Sequence, residues 1–415
     1  MKTKRLFLFL AMLLILALVS CDIGTTRDNS VPGNGLAEKL NWLRTNAQSG
    51  DRYTIEIGAD ESITPNRILE YSGRSNITIT LRGTGGNRTI NLSDNGNMFI
   101  VRAGVTLILD NITLRGRSFN TYPLIYVRTN AALQMNDSAV ITGNISSNGS
   151  GGGVLVEGAF IMNGGTISGN AAAGDGGGVC VTAGNFTMSG GTISGNNANN
   201  IGGGVAMLGK GTFVMSGGTI SGNNTNITGG GVAALSGTFT MNGGTISGNI
   251  AETDGGGVWV EGTFTMYGGT ISGNTAGDNG GGVAASKDGT IDMNNGSITD
   301  NKATRGGGVT APIDTIFTMS GGTIARNTAK TYGGGVYAGG AFTKTGGTIT
   351  SFDSDRRNGN VVSNNPGFVE SNNGHAVYAY SSNNRTIKRK ETTAGSGVSL
   401  SYNGRTGSFN GEWDF

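Results

Sequence analysis

Charge, cysteine, histidine and helical periodicity are all scarce in this sequence of 415 residues. Lys and Arg number 29 against 27 Asp and Glu, and losing Lys2, Lys4 and Arg5 with a leader leaves 29 − 3 = 26, a net charge near −1. Nucleic-acid binding has no electrostatic basis in such a chain. The 2 cysteines are Cys21 and Cys180. If the first is acylated, an exported protein has no internal disulfide and packing alone must hold it. The one histidine, His375, replaces a glycine of a late repeat and lacks an evident catalytic partner. After residue 20 no apolar run is long enough to cross a bilayer as a helix.

What the chain has in quantity is glycine, 77 residues. The absence of a three-residue period excludes collagen, and the steady supply of Val, Ile, Phe and Met excludes a disordered linker. A packed, repetitive architecture remains.

Residues 1–20 come off before any fold reasoning, because the three basic residues precede an apolar run from Leu6 to Val19, a secretion signal. Its end, Leu18-Val19-Ser20-Cys21, resembles the lipobox of bacterial lipoproteins, in which the cysteine becomes the acylated first residue. On that resemblance Cys21 is the lipidation site and a membrane is the first partner. Each buried methylene of an acyl chain contributes about 0.8 kcal/mol.

The tetrad GGGV places its valine at 154, 179, 205, 232, 258, 283, 309 and 336, so (336 − 154)/7 gives a period of 26. The isoleucine of GGTI recurs at the same interval. Periods of this size mean a solenoid or an array. Each unit holds three short β-type stretches separated by glycine: GGGVxV, GTFTM and GTISGN. The predicted inward columns include Phe186, Met188, Ile193, Val205, Phe213, Met215, Ile220 and Val232. Asn196 and Asn223 belong to an asparagine column whose amides can bond along the stack, coil to coil, at about 4.8 Å.

The expectation is an all-β, single-stranded right-handed parallel β-helix with three strands per coil, and right-handedness follows the bias of parallel connections. "LAEKLNWLRTNA" carries Leu36, Leu40 and Leu43 on one helical face and should cap the N-terminal end. The chain then divides into a leader 1–20, an anchored linker 21–35, a capping helix 36–52, irregular coils 53–137, regular repeats 138–350, and an insertion with a final cap 351–415. About 14 coils fit after residue 53, a rod of roughly 65 Å.

The GGTISGN and GGGV units resemble those of the polymorphic outer-membrane protein repeats and the wider pectin-lyase-like β-helix proteins. The resemblance is strong over about residues 138–350. The final 64 residues (415 − 351) are too few for the outer-membrane barrel that ends many such surface proteins.

Chemistry is harder to find than shape. Units of nearly constant length build no wall around a cleft, and the acidic residues share no column. Asp254 and Asp278, each shortly before a GGG, are an example of carboxylates that could meet across coils, but the expected reading is solvated turn carboxylates. The residues preceding GGG vary too widely for a calcium ladder, and no phosphate-loop GK[ST] follows the glycines. No catalytic residue, metal ligand or cofactor is assigned. Cys180 is expected on the outside, as a surface thiol or a point of intermolecular pairing. Trp259 and Tyr337, in the outward column of the GGGV strand, and Tyr267 at a nearby corner are the candidate ligand surface. The expected function is non-enzymatic: an outer-membrane or cell-surface lipoprotein rod for adhesion or display, its partner a host or matrix glycan or protein. A polysaccharide lyase or hydrolase on the same fold is the alternative. A periplasmic scaffold is another, since Asp22 after the cysteine is an inner-membrane retention signal in some bacteria.

Overall fold

A computed structural model describes residues 28–350, 357–363, 376–379, 387–389 and 398–400. The leader, Cys21, His375 and most of the insertion and tail lie outside them.

Successive units stack in register. Val179–Val181 lies parallel to Val205–Met207, Asn185–Met188 to Thr212–Met215, and Thr192–Ser194 to Thr219–Ser221. Repeated along the chain, these pairings give sheets of 13, 14 and 12 strands, here the valine, phenylalanine and isoleucine sheets. The fold is a parallel β-helix of about 12 turns with one short helix. The expected 14 coils overcount it because the last strands turn back. Val398–Leu400 runs antiparallel on Ala341–Lys344, and Ile387–Arg389 antiparallel on Val377–Ala379.

Three strands per coil is also too few. A fourth sheet of 9 strands follows the isoleucine sheet, built from pieces as short as Ala171–Ala172 and Asn197–Ala198. Two residues cannot display alternation, so no periodicity betrays them. What does is a small residue two places after each column asparagine: Ala172, Ala198, Thr225, Ala251, Ala276, Ala303 and Ala329 are all buried.

The predicted columns form the core. Phe186, Met188, Ile193, Val205, Phe213, Met215, Ile220 and Val232 have no exposed surface. Each contributes roughly 1.5–3 kcal/mol only when the next coil covers it. Phe160, Phe186, Phe213 and Phe239 stack with ring centroids 4.5–4.7 Å apart. Asn196 donates from its backbone N and its Nδ2 to Asn223 Oδ1, both at 3.0 Å, and from Nδ2 to the Ile167 carbonyl at 3.0 Å. Buried amides are tolerated only when so bonded. The ladder extends beyond the regular repeats, from Asn120 through Asn144 at one end to Asn360 at the other. Asn327 and Asn360 are adjacent rungs although 33 residues separate them, and Asn360 also bonds back to the Thr350 carbonyl at 2.6 Å.

At the N-terminal end the helix Leu36–Asn46 buries Leu36, Leu40 and Leu43, as expected of a cap. The Glu61 carboxylate accepts the Leu36 N–H at 3.1 Å, which supplies the missing N-cap. The linker is shorter than expected, since Asp28–Ser30 already pairs with Arg52–Thr54 as the outermost strand of the phenylalanine sheet. Near the other end Lys344 occupies the methionine column. It is fully buried, and its Nζ has no hydrogen-bond partner among the described residues.

Candidate ligand-binding notch on the valine sheet

The outward column of the valine sheet runs Tyr126, Leu155, Cys180, Ala206, Ala233, Trp259, Ala284, Thr310, Tyr337, Tyr378. Pointing outward from a strand does not here mean pointing into solvent. The first glycine of each GGG has positive φ and folds the chain back over the column; a Cβ on Gly255 (φ 66°) would sit 2.7 Å from Trp259 Cβ. Over the middle coils a roof results, made by the residues before GGG.

Two expectations fall to that roof. Cys180 is fully buried beneath Ser150 and Asp175, the residues before GGG in two successive coils, and burial pushes its thiol up to about 12. It is neither a surface thiol nor a pairing point. Trp259 is only 8% exposed and packs with Ala233, Ala284, Ile201 and Leu235 in a small second core outside the helix wall. A ring so enclosed offers no face to a ligand. Tyr267 is 45% exposed, but it sits at the corner between the phenylalanine and isoleucine sheets, three coils before Tyr337 and off the valine sheet.

Tyr337 keeps its place and gains neighbours that pattern reading missed. Tyr332 precedes GGG in the same coil, and Tyr378 is the counterpart of Tyr337 one coil on, in the degenerate copy that contains His375. Ring centroids are 6.3 Å apart for Tyr332 and Tyr337, 5.7 Å for Tyr337 and Tyr378, and 4.6 Å for Tyr332 and Tyr378. The repeated GGGVYA and GHAVYA strings carry the signal for this cluster.

Between Trp259 and Tyr337 the column drops to Ala284 and Thr310, a gap of three coil spacings, about 14 Å. A cavity of about 210 Å³ occupies it, with Thr310, Ala285 and Pro312 in its lining and Tyr337 at one end. Its polar groups are Asp254, Asn279, Ser286, Lys287 and Arg305. The Asp254 carboxylate accepts the Asn279 backbone N–H at 3.0 Å and its Nδ2 at 2.8 Å. Burial raises its pKa above the ordinary carboxylate value, those two bonds oppose the rise, and the Asp278 charge adds to it. Asp254 is thus paired with an amide, while Asp278 is exposed and outside the cavity lining. Lys287 and Arg305 are exposed and form no ion pair among the described residues.

The notch therefore combines one aromatic ring, Tyr337, which joins it to the tyrosine cluster, with two cations and a fixed acceptor. Rings of this kind cover the apolar face of a sugar or an aromatic side chain, and flanking donors fix orientation. No group of three or more His, Cys, Asp or Glu side chains able to hold a metal is found among the described residues. Comparison with family models, with curated proteins and with solved structures found no significant match.

Proposed function

We propose that this chain is a lipid-anchored β-helical rod of the bacterial surface, akin to the polymorphic outer-membrane repeats, acting non-enzymatically in adhesion or display. The observation that carries this reading is the position of the notch that ends at Tyr337. It lies on the coils farthest along the chain from Cys21, the expected lipid attachment. Six residues separate Cys21 from Asp28, where the sheet begins. Eleven spacings between 12 coils give a stand-off of about 50 Å. An anchor at one end and a receptor patch at the other suit a protein that presents a ligand site away from its membrane.

The test is binding of the acyl-free chain, beginning at Asp22, to glycan and matrix-protein arrays, with a Tyr332→Ala/Tyr337→Ala variant alongside. Specific binding lost in the variant supports the reading; absence of binding refutes the receptor role. Protease treatment of intact cells tests the location, because cleavage only after lysis places the rod in the periplasm as a scaffold. One observation favours the enzymatic alternative: the raised pKa of Asp254, beside a cavity with cations, suits a general acid. Release of product from an acidic polysaccharide, abolished in Asp254→Asn, would establish it.

A further inference from the structure

A second recess lies far from the notch, at the corner where the valine sheet turns into the phenylalanine sheet. It has a volume of about 530 Å³ and is lined by five successive coils, from Asn76 through Thr106, Asn130 and Glu157 to Asn185. Four coil spacings make it about 19 Å long, directed along the rod axis.

Unequal corner lengths create it. Four residues, 128–131, turn the coil below and three, 182–184, the coil above, but only Glu157 and Gly158 separate Val156 from Ala159. The short corner is recessed between two longer ones. Its floor is main chain: a Cβ on Gly158 would fall 2.3 Å from the Ala131 carbonyl oxygen, and one on Gly184 1.9 Å from that of Gly158. Not even a methyl group fits at either glycine, so successive corners pack main chain on main chain there, and only Val105 and small alanines add apolar side chains to the lining.

One wall is fixed by a small network. The Tyr126 hydroxyl donates to Glu157 Oε1, Arg128 Nε lies 3.4 Å from Glu157 Oε2, and the Arg128 guanidinium sits 4.7 Å from the Tyr126 ring centroid. Glu157 is thereby held in place with the Arg128 charge beside it. The remaining polar groups, on Asn76, Thr106, Thr129, Asn130 and Asn185, are uncharged donors and acceptors at the rim.

These features select among extended ligands. An added β-strand is disfavoured, because the trough crosses the strands and the coil edges beside it are already paired. The lining offers a peptide side chain only Val105 and small alanines as apolar contacts. A polyanion would meet no unpaired cation. We propose that the trough binds a neutral, linear oligosaccharide lying along the axis, its hydroxyls bonded to the rim amides and one sugar face against the main-chain floor. The site is independent of the distal notch.

Calorimetric titration of the chain beginning at Asp22 with cellohexaose, maltohexaose and a polyuronate of equal length tests this. A neutral oligomer should bind in preference to the uronate, more tightly as the chain grows from disaccharide to tetrasaccharide. Ala183 is exposed at the rim, so Ala183→Arg should obstruct the trough without touching the core and weaken binding about tenfold, a difference of about 1.4 kcal/mol. Thr106→Ala/Asn185→Ala should weaken it through lost hydrogen bonds, and Tyr337→Ala should leave it unchanged. No binding of either neutral oligomer, preference for the uronate, or equal affinity in both trough variants would overturn the proposal. Loss in Tyr337→Ala alone would also overturn it, by assigning the ligand to the notch.

Discussion

Arg326 clasps Asp300 on the neighbouring coil with two parallel bonds, Nε to Oδ1 at 2.9 Å and Nη2 to Oδ2 at 2.8 Å. Both residues have positive φ, 60° at Asp300 and 56° at Arg326, at the position where Gly195, Gly222 and Gly248 stand in other coils. A left-handed conformation costs a non-glycine residue roughly 1–2 kcal/mol, less for Asp. The ion pair, about half exposed on both sides, offsets at most ~1 kcal/mol of that.

Restoring glycine at both places should therefore stabilise the rod by about 1 kcal/mol in urea unfolding near neutral pH. The acid response should change as well. The Arg326 hydrogen bonds hold Asp300 below the ordinary carboxylate pKa, so its contribution is present above that value and is lost as pH falls through the folded one. The double glycine variant should lack this part of the acid destabilisation.

Asn223→Ala should cost about 2–4 kcal/mol, more than one hydrogen bond is worth, because buried groups would be stranded on both neighbouring coils. Asn223 accepts two bonds from Asn196 and donates to Asn249 Oδ1 and the Ile193 carbonyl. Chemical denaturation compared with the exposed control Asn226→Ala measures the difference.

Trp259→Ala and Tyr337→Ala should part company. The first empties an enclosed site and should lower stability by about 3 kcal/mol while leaving the notch chemistry in place. The second should alter ligand binding with little change in melting. Thermal unfolding and array binding on the two single variants separate the roles; equal melting temperatures would contradict the packing assigned to Trp259.

Lys344→Met should stabilise by on the order of 2 kcal/mol, since it restores the column and removes a buried amine without a partner among the described residues. Burial lowers the pKa of Lys344. Between that lowered value and the ordinary lysine value the unfolded chain binds the extra proton, so wild-type stability rises with pH across that window. The methionine variant should show a flatter alkaline profile, which unfolding at a series of pH values would reveal.

The repeated columns were legible because each position recurs often enough to average out its variation. Phe186, Met188, Ile193 and Asn196 each predict a whole ladder. Periodicity stops where strands shrink to two residues, as at Asn197–Ala198, since alternation needs length. It also fails for Cys180 and Trp259, because strand direction reveals only which side of the sheet a residue faces. Whether that side is wet depends on the path of the GGG turn, a tertiary property. The tyrosine cluster and the trough were latent in the letters, one as a repeated aromatic and the other as a short corner at Glu157, but both needed coil register to become sites.

The matching of column to column has a last consequence. Asn196 and Asn223 are consecutive rungs 27 residues apart, each followed by another asparagine. Excising residues 197–223 would rejoin like to like, with every stacked surface meeting the partner type it had before. Such a protein is graduated: whole units set the length of the rod, in increments of about 4.8 Å, while under the proposed function the last few coils would set what its end recognises. Reach and recognition can then vary separately, by unequal exchange between near-identical repeats in one case and by point substitution in the other.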